Sequence, residues 1–122
     1  MSDRSDLSGH RVLVVEDEYY IATDTARALR DAGAEVVGPC PSEIIAGEAV
    51  ARQRPDAVIV DINLGEGPSF MLAESLMARG IPFLFVTGYD EEIIPEEFGG
   101  IARLQKPVEL HQMIAAVSKL VN

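Results

Sequence analysis

Apolar residues in this chain occur in two alternating patterns. Short unbroken runs give way to longer stretches in which apolar positions recur every three or four residues. The runs Arg11–Glu16, Glu35–Gly38, Ala57–Val60, Pro82–Val86 and Ala102–Leu104 predict strands buried on both faces. The stretch Glu18–Ala32 carries Ala22, Ala26 and Leu29 at helical spacing, and Gly33 stops it. Pro39 and Pro41 predict a turn, after which Ser42 is a suitable N-cap for a helix to Gln53, with Ile45, Ala49 and Val50 inward. After a loop at Gly65–Pro68, Ser69–Arg79 predicts a third helix with Leu72, Ala73, Leu76 and Met77 on one side. Asp90–Phe98 is a weaker helical stretch because it contains Pro95, and Gly99-Gly100 follows as a break. Val108–Val121 predicts the last helix, with Leu110, Ile114, Val117 and Leu120 at core spacing.

A strand–helix unit repeated five times predicts a parallel sheet with helices on both faces, a three-layer α/β sandwich. Periodicity leaves the strand order open. Residues 1–9 read as a polar lead-in, and 10–122 as one domain. No apolar run approaches the ~20 residues of a membrane helix, and the N-terminus lacks the pattern of a secretory signal. A cytoplasmic location is the expectation.

Composition narrows the chemistry. A hydrophobic fraction of 48% supplies a sizeable core, and the formal net charge of −10 repels polyanions such as nucleic acid. The single cysteine, Cys40, reads as small buried filler in a loop. His10 and His111 lack ligand spacing and read as surface residues.

In an open parallel sheet, ligands bind beyond the carboxyl ends of the strands. Those ends carry Glu16, Asp17 and Glu18 after the first strand, Asp61 after the third, Thr87 after the fourth and Lys106 after the fifth. Singly, each has an ordinary explanation: a helix cap, a turn hydroxyl, a solvated lysine. Together they place several carboxylates, a hydroxyl and a cation at one edge. Crowded carboxylates raise one another's pKa and call for a cation. Oxygen ligands without Cys or His favour Mg²⁺. A carboxylate beside Mg²⁺ and a lysine is equipped to attack phosphorus and form an acyl phosphate.

Four segments carry a resemblance. Val-Leu-Val-Val-Glu16-Asp17-Glu, Val-Ile-Val-Asp61-Ile-Asn-Leu, Phe-Val-Thr87-Gly and Leu-Gln-Lys106-Pro107 resemble, in order and spacing, the receiver domain of two-component response regulators. The likeness runs from about Arg11 to Val121. It implies a flavodoxin-like fold, strand order 2-1-3-4-5, and a histidine kinase or histidine phosphotransfer protein as phosphoryl donor. Position by position, it implies that Asp61 is the phosphoacceptor. It assigns Asp17, Glu16 (through water), Asp61 and the Asn63 backbone carbonyl to Mg²⁺, Thr87 and Lys106 to phosphoryl oxygens, and a cis bond to Lys106–Pro107.

Two departures stand out. Arg103 occupies the position, three before the lysine, where receivers usually have Tyr or Phe. Pro82–Tyr89 resembles the "FAT GUY" subgroup of receivers, many of them stand-alone and known from alphaproteobacterial stress signalling, with Val86 in place of Ala. Gly88 and Tyr89 are then candidate switch residues. No basic recognition helix is present, so output is expected through an unknown partner protein or by draining phosphoryl groups. Met1 and the complete last helix favour a stand-alone chain, and the domain is expected to catalyse only its own phosphorylation and slow dephosphorylation. The alternatives are an aspartyl-nucleophile phosphatase, which needs an acid where Asn63 stands, and a degenerate receiver that signals without phosphorylation. A nucleotide-binding domain would need a Gly-rich loop where Glu16-Asp17-Glu18 lies.

Overall fold

A computed structural model describes residues 7–64, 70–88 and 94–122. Its elements run β1 (Arg11–Val15), α1 (Tyr19–Asp31), β2 (Glu35–Cys40), α2 (Glu43–Arg52), β3 (Ala57–Asp61), α3 (Met71–Arg79), β4 (Phe83–Thr87), a 3₁₀ turn (Glu96–Phe98), β5 (Arg103–Gln105) and α4 (Leu110–Val121). All strand pairs are parallel, in the order β2-β1-β3-β4-β5. This is the flavodoxin-like arrangement that the resemblance implied.

Strand alternation divides the core into two layers. Leu13, Val15, Val58, Val60, Phe83 and Phe85 pack toward α2 and α3. Val12, Val14, Ile59, Leu84 and Val86 pack toward α1 and α4. The helices start and stop as their sequences dictate. The Ser42 hydroxyl accepts from the Ile45 N–H at 3.2 Å. After α1, Gly33 (φ +103°) turns the chain, with Gly33 N–H donating to Arg30 O and Ala34 N–H to Leu29 O. Gly80 (φ +71°) does the same for α3, with Ile81 N–H on Leu76 O.

Several expectations need correction. Leu7, inside the stretch read as a polar lead-in, is fully buried in the α1/α4 layer. β2 does not end at Gly38 but continues through Pro39 to Cys40, so Cys40 is a buried strand-end residue rather than loop filler. Proline is tolerated there because β2 is an edge strand. Ile45, Met77 and Leu110 are exposed. The buried stripes are narrower than read: Ala46, Ala49 and Val50 on α2, Leu72, Ala73 and Leu76 on α3. From the weak helical stretch before the fifth strand, a single 3₁₀ turn follows Pro95; residues 90–93 lie outside the described ones. Tyr89 and Ser69 also lie outside them.

Candidate functional site

The sheet order brings the carboxyl ends of β1 and β3 side by side, so acids distant in sequence meet. Glu16, Asp17 and Asp61 each present a carboxylate oxygen within 4.8 Å of the others. Asp17 is solvent-exposed, whereas Glu16 and Asp61 retain only 6% and 1% of their exposure. Two carboxylates are therefore withdrawn from water beside a third.

Each oxygen of Asp61 is held. Oδ1 accepts from the Asn63 backbone N–H at 2.8 Å, and Oδ2 accepts from Lys106 Nζ at 3.0 Å. Lys106 arrives because its own backbone N–H donates to Thr87 O at 2.8 Å, tying the end of β5 to the end of β4. The Lys106–Pro107 bond is cis. Burial pushes the Glu16 carboxyl up to about 7, helped by a side-chain hydrogen bond with Asp61 and the negative charge of that group. The Glu18 N–H, 3.2 Å from Glu16 Oε2, and the Lys106 charge oppose the rise. Burial alone would lower the Lys106 pKa, but its bond to Asp61 and the surrounding acids raise it. The charged form of lysine is therefore secured.

The Thr87 hydroxyl is fully buried and has no hydrogen-bond partner among the described residues. A buried polar atom without a partner is costly, and its place at a strand end beside Lys106 suits a ligand oxygen. Gly88 lies against Asn63: a Cβ at Gly88 would fall 2.9 Å from Asn63 Nδ2. A cleft of about 670 Å³ opens from Glu16, Asn63 and Lys106 and runs between α1 and α4 over Val14 and Ile59.

The structure thus brings together Glu16, Asp17, Asp61, Asn63 and Lys106, with Thr87 and Gly88 at the same edge. Arg103 is elsewhere: half-buried, it donates to the Phe98 carbonyl at 3.3 Å. Sequence reasoning passed over Tyr19 and Tyr20, an exposed edge-to-face pair with ring centroids 5.3 Å apart on the first turn of α1. The available signal was two tyrosines directly after the acidic triplet and off the Ala22–Ala26–Leu29 stripe.

The donor set fits a hard divalent cation: oxygen ligands only, close together, and carrying more negative charge than one lysine offsets.

The family model "Response regulator receiver domain" matches residues 12–118. Among curated proteins, the chain is 30% identical over 116 residues to the transcriptional regulatory protein PdtaR of Mycobacterium tuberculosis, covering 92% of this chain and 57% of PdtaR. The chain spans about half the length of the curated relatives it matches. Among solved structures, the PhyR response regulator REC domain of Erythrobacter litoralis is 26% identical with a TM-score of 0.81, over 93% of this chain and 91% of that one. The response regulator PhyR of Brucella abortus is 25% identical with a TM-score of 0.78, over 96% of this chain and 49% of that one.

Proposed function

The chain belongs to the response regulator receiver family, and from that premise we propose that it accepts a phosphoryl group on Asp61 from a phosphohistidine of a histidine kinase or phosphotransfer protein. The observation that carries this reading is Asp61 itself: a buried carboxylate aimed by Asn63 N–H and Lys106 Nζ and flanked by two further acids. One Asp61 oxygen forms the new bond to phosphorus. The phosphorus–nitrogen bond to the donor histidine breaks, and the leaving imidazole is protonated. The product is an acyl phosphate.

Glu16, Asp17, Asp61 and the Asn63 carbonyl would hold Mg²⁺, which offsets negative charge on the phosphoryl oxygens. Lys106 is placed to exchange its carboxylate partner for a phosphoryl oxygen. The Thr87 hydroxyl, which has no partner among the described residues, gains an acceptor in the same event. Asn63, two residues beyond Asp61, carries no acidic proton, which disfavours hydrolysis by a phosphatase mechanism. The added charge of roughly −1.5 to −2 would then alter the surface read by an output protein in the cytoplasm. The exposed Tyr19–Tyr20 pair, between the acidic triplet and Ile21 of the cleft lining, suits the donor's approach. The Pro82–Tyr89 pattern is what supports placement in the "FAT GUY" subgroup of receivers.

Transfer of labelled phosphoryl from a phosphorylated donor tests the reading. Wild type should take up label only with Mg²⁺, and Asp61→Ala should take up none. Label retained by Asp61→Ala would defeat the assignment.

A further inference from the structure

α2 and α3 each turn a narrow apolar stripe onto the sheet: Ala46, Ala49 and Val50 on one, Leu72, Ala73 and Leu76 on the other. Their outer sides face solvent without being wholly polar. Ile44 and Met71, in the first turns, keep 76% and 74% of their exposure, and Ile45 and Met77 are exposed as well. Large apolar residues gathered on a surface mark an interaction site.

The two helices are tied together at both ends. Where they start, Glu43 Oε2 accepts the Leu72 N–H at 3.3 Å. Where they finish, the Arg54 guanidinium donates to the Arg79 carbonyl at 3.0 Å. They therefore run parallel and present one continuous face.

Charge is ordered along that face. Each helix carries acids ahead of arginines: Glu43 and Glu48 before Arg52 and Arg54, and Glu74 before Arg79. Glu48, Glu74, Arg52 and Arg79 are exposed, and none has an ion-pair partner among the described residues. Three acids balance three arginines here, so the rest of the chain carries the whole net charge of −10. Copies of this chain repel one another across that remaining surface. Across the α2–α3 face the ordering is complementary to itself. A second copy turned end for end lays its arginines over these acids, with its helix dipoles reversed. A strongly basic or strongly acidic partner gains nothing from a neutral face, whereas a second copy meets its complement.

We propose that the α2–α3 face is the interface of an isologous, antiparallel homodimer. Glu48 and Glu74 of one copy meet Arg52 and Arg79 of the other, and Ile44 and Met71 leave water against arginine stems. The pairing is independent of the phosphoacceptor reading, because it uses none of Glu16, Asp17, Asp61 and Lys106. Helices about 15 and 14 Å long, packed roughly 8–10 Å apart, give a footprint at the low end of specific interfaces. The dimer is therefore reversible, with a dissociation constant of about 10⁻⁵ M.

Sedimentation equilibrium of the whole chain from about 1 µM to 1 mM brackets that value and tests the pairing. Two double variants are compared with wild type: Arg52→Glu with Arg79→Glu, and Glu48→Arg with Glu74→Arg. All four positions are exposed, and circular dichroism checks that each variant is folded. Wild type should approach twice the monomer mass at the highest concentration. Each double variant alone should stay monomeric, and an equimolar mixture of the two should form the dimer again. Ile44→Ser, which leaves every charge in place, should weaken the wild-type dimer at least about tenfold, since two isoleucines lose their burial at once. A wild type that stays monomeric to about 1 mM, whether or not another protein binds this face, would overturn the proposal. So would full dimerisation of either double variant alone, a mixture that stays monomeric, or an unweakened dimer in Ile44→Ser.

Discussion

The two ends of the sheet handle charge in opposite ways. At the amino edge, Asp56 accepts the Arg11 backbone N–H at 2.7 Å, His10 lies 3.9 Å from the same carboxylate, and Arg11 faces Glu35 at 3.3 Å. Signs alternate there, and the acids stay substantially in water. At the carboxyl edge, three acids of one sign crowd together, two of them buried, around a single lysine. The first edge balances its charges, although Arg11 Nε is buried there with an ion pair to Glu35 and no hydrogen bond among the described residues. The second is left with surplus negative charge and with a buried hydroxyl lacking a partner among the described residues. Exposed mixed-sign pairs are worth little and cost little, whereas crowded buried like charges must be relieved by a proton or by a bound cation.

Perturbing matched residues at the two edges should give very different results. The largest effect is expected for Lys106→Met, which removes the cation that faces Asp61. Phosphoryl uptake should fall by about 10²-fold, in the range found for deleting one preorganised electrostatic partner, while Arg11→Met at the other edge should leave uptake unchanged in the same assay. Next, Mg²⁺ at ~100 times its dissociation constant should stabilise the wild type by about 2.7 kcal/mol in thermal or urea unfolding. That gain should vanish with a chelator and persist in Asp56→Asn.

The third prediction concerns pH. Glu16 is raised from 4.5 to about 7 in the folded chain, so between those values the native state holds a proton that the unfolded chain has released. Without metal, stability should therefore fall as pH rises from about 4.5 to 7 and level off above. Bound Mg²⁺ needs the carboxylate form, so Mg²⁺ affinity should climb by up to about tenfold per pH unit toward 7 and then flatten. Unfolding curves and metal titrations across that range decide the sign, and Glu16→Gln should flatten both profiles. The smallest effect is expected for Asp56→Asn, a loss of about 0.5–1.5 kcal/mol from one exposed hydrogen bond, the same with or without Mg²⁺.

Much of this contrast was readable from residues alone. Unbroken β-branched runs marked the strands. Once a parallel sheet followed, the ends of those strands had to lie along one edge, which is why Asp17, Asp61 and Lys106 could be brought together before any geometry was known. What escaped was set by tertiary contact. The Pro39 step in β2 depends on that strand lying at the edge. The exposure of Ile45, Met77 and Leu110 depends on how each helix is rotated onto the sheet. The Glu43 carboxylate accepts the Leu72 N–H at 3.3 Å, tying the start of α3 to α2 across 29 residues; no local pattern encodes it. The same holds for Arg103: its distance from Lys106 invited a comparison with receivers, but its hydrogen bond to Phe98 depends on the fold of the β4–β5 connection.

The most direct measurement is the site of covalent modification. The chain is incubated with acetyl phosphate and Mg²⁺, the acyl phosphate is trapped by borohydride reduction, and the product is mapped by peptide mass spectrometry. A single reduced residue at Asp61, dependent on Mg²⁺ and cut by about 10²-fold in Lys106→Met, is the predicted result. Reduction at Glu16 or Asp17, or an unmodified Asp61 under conditions that phosphorylate a control receiver, would contradict the account.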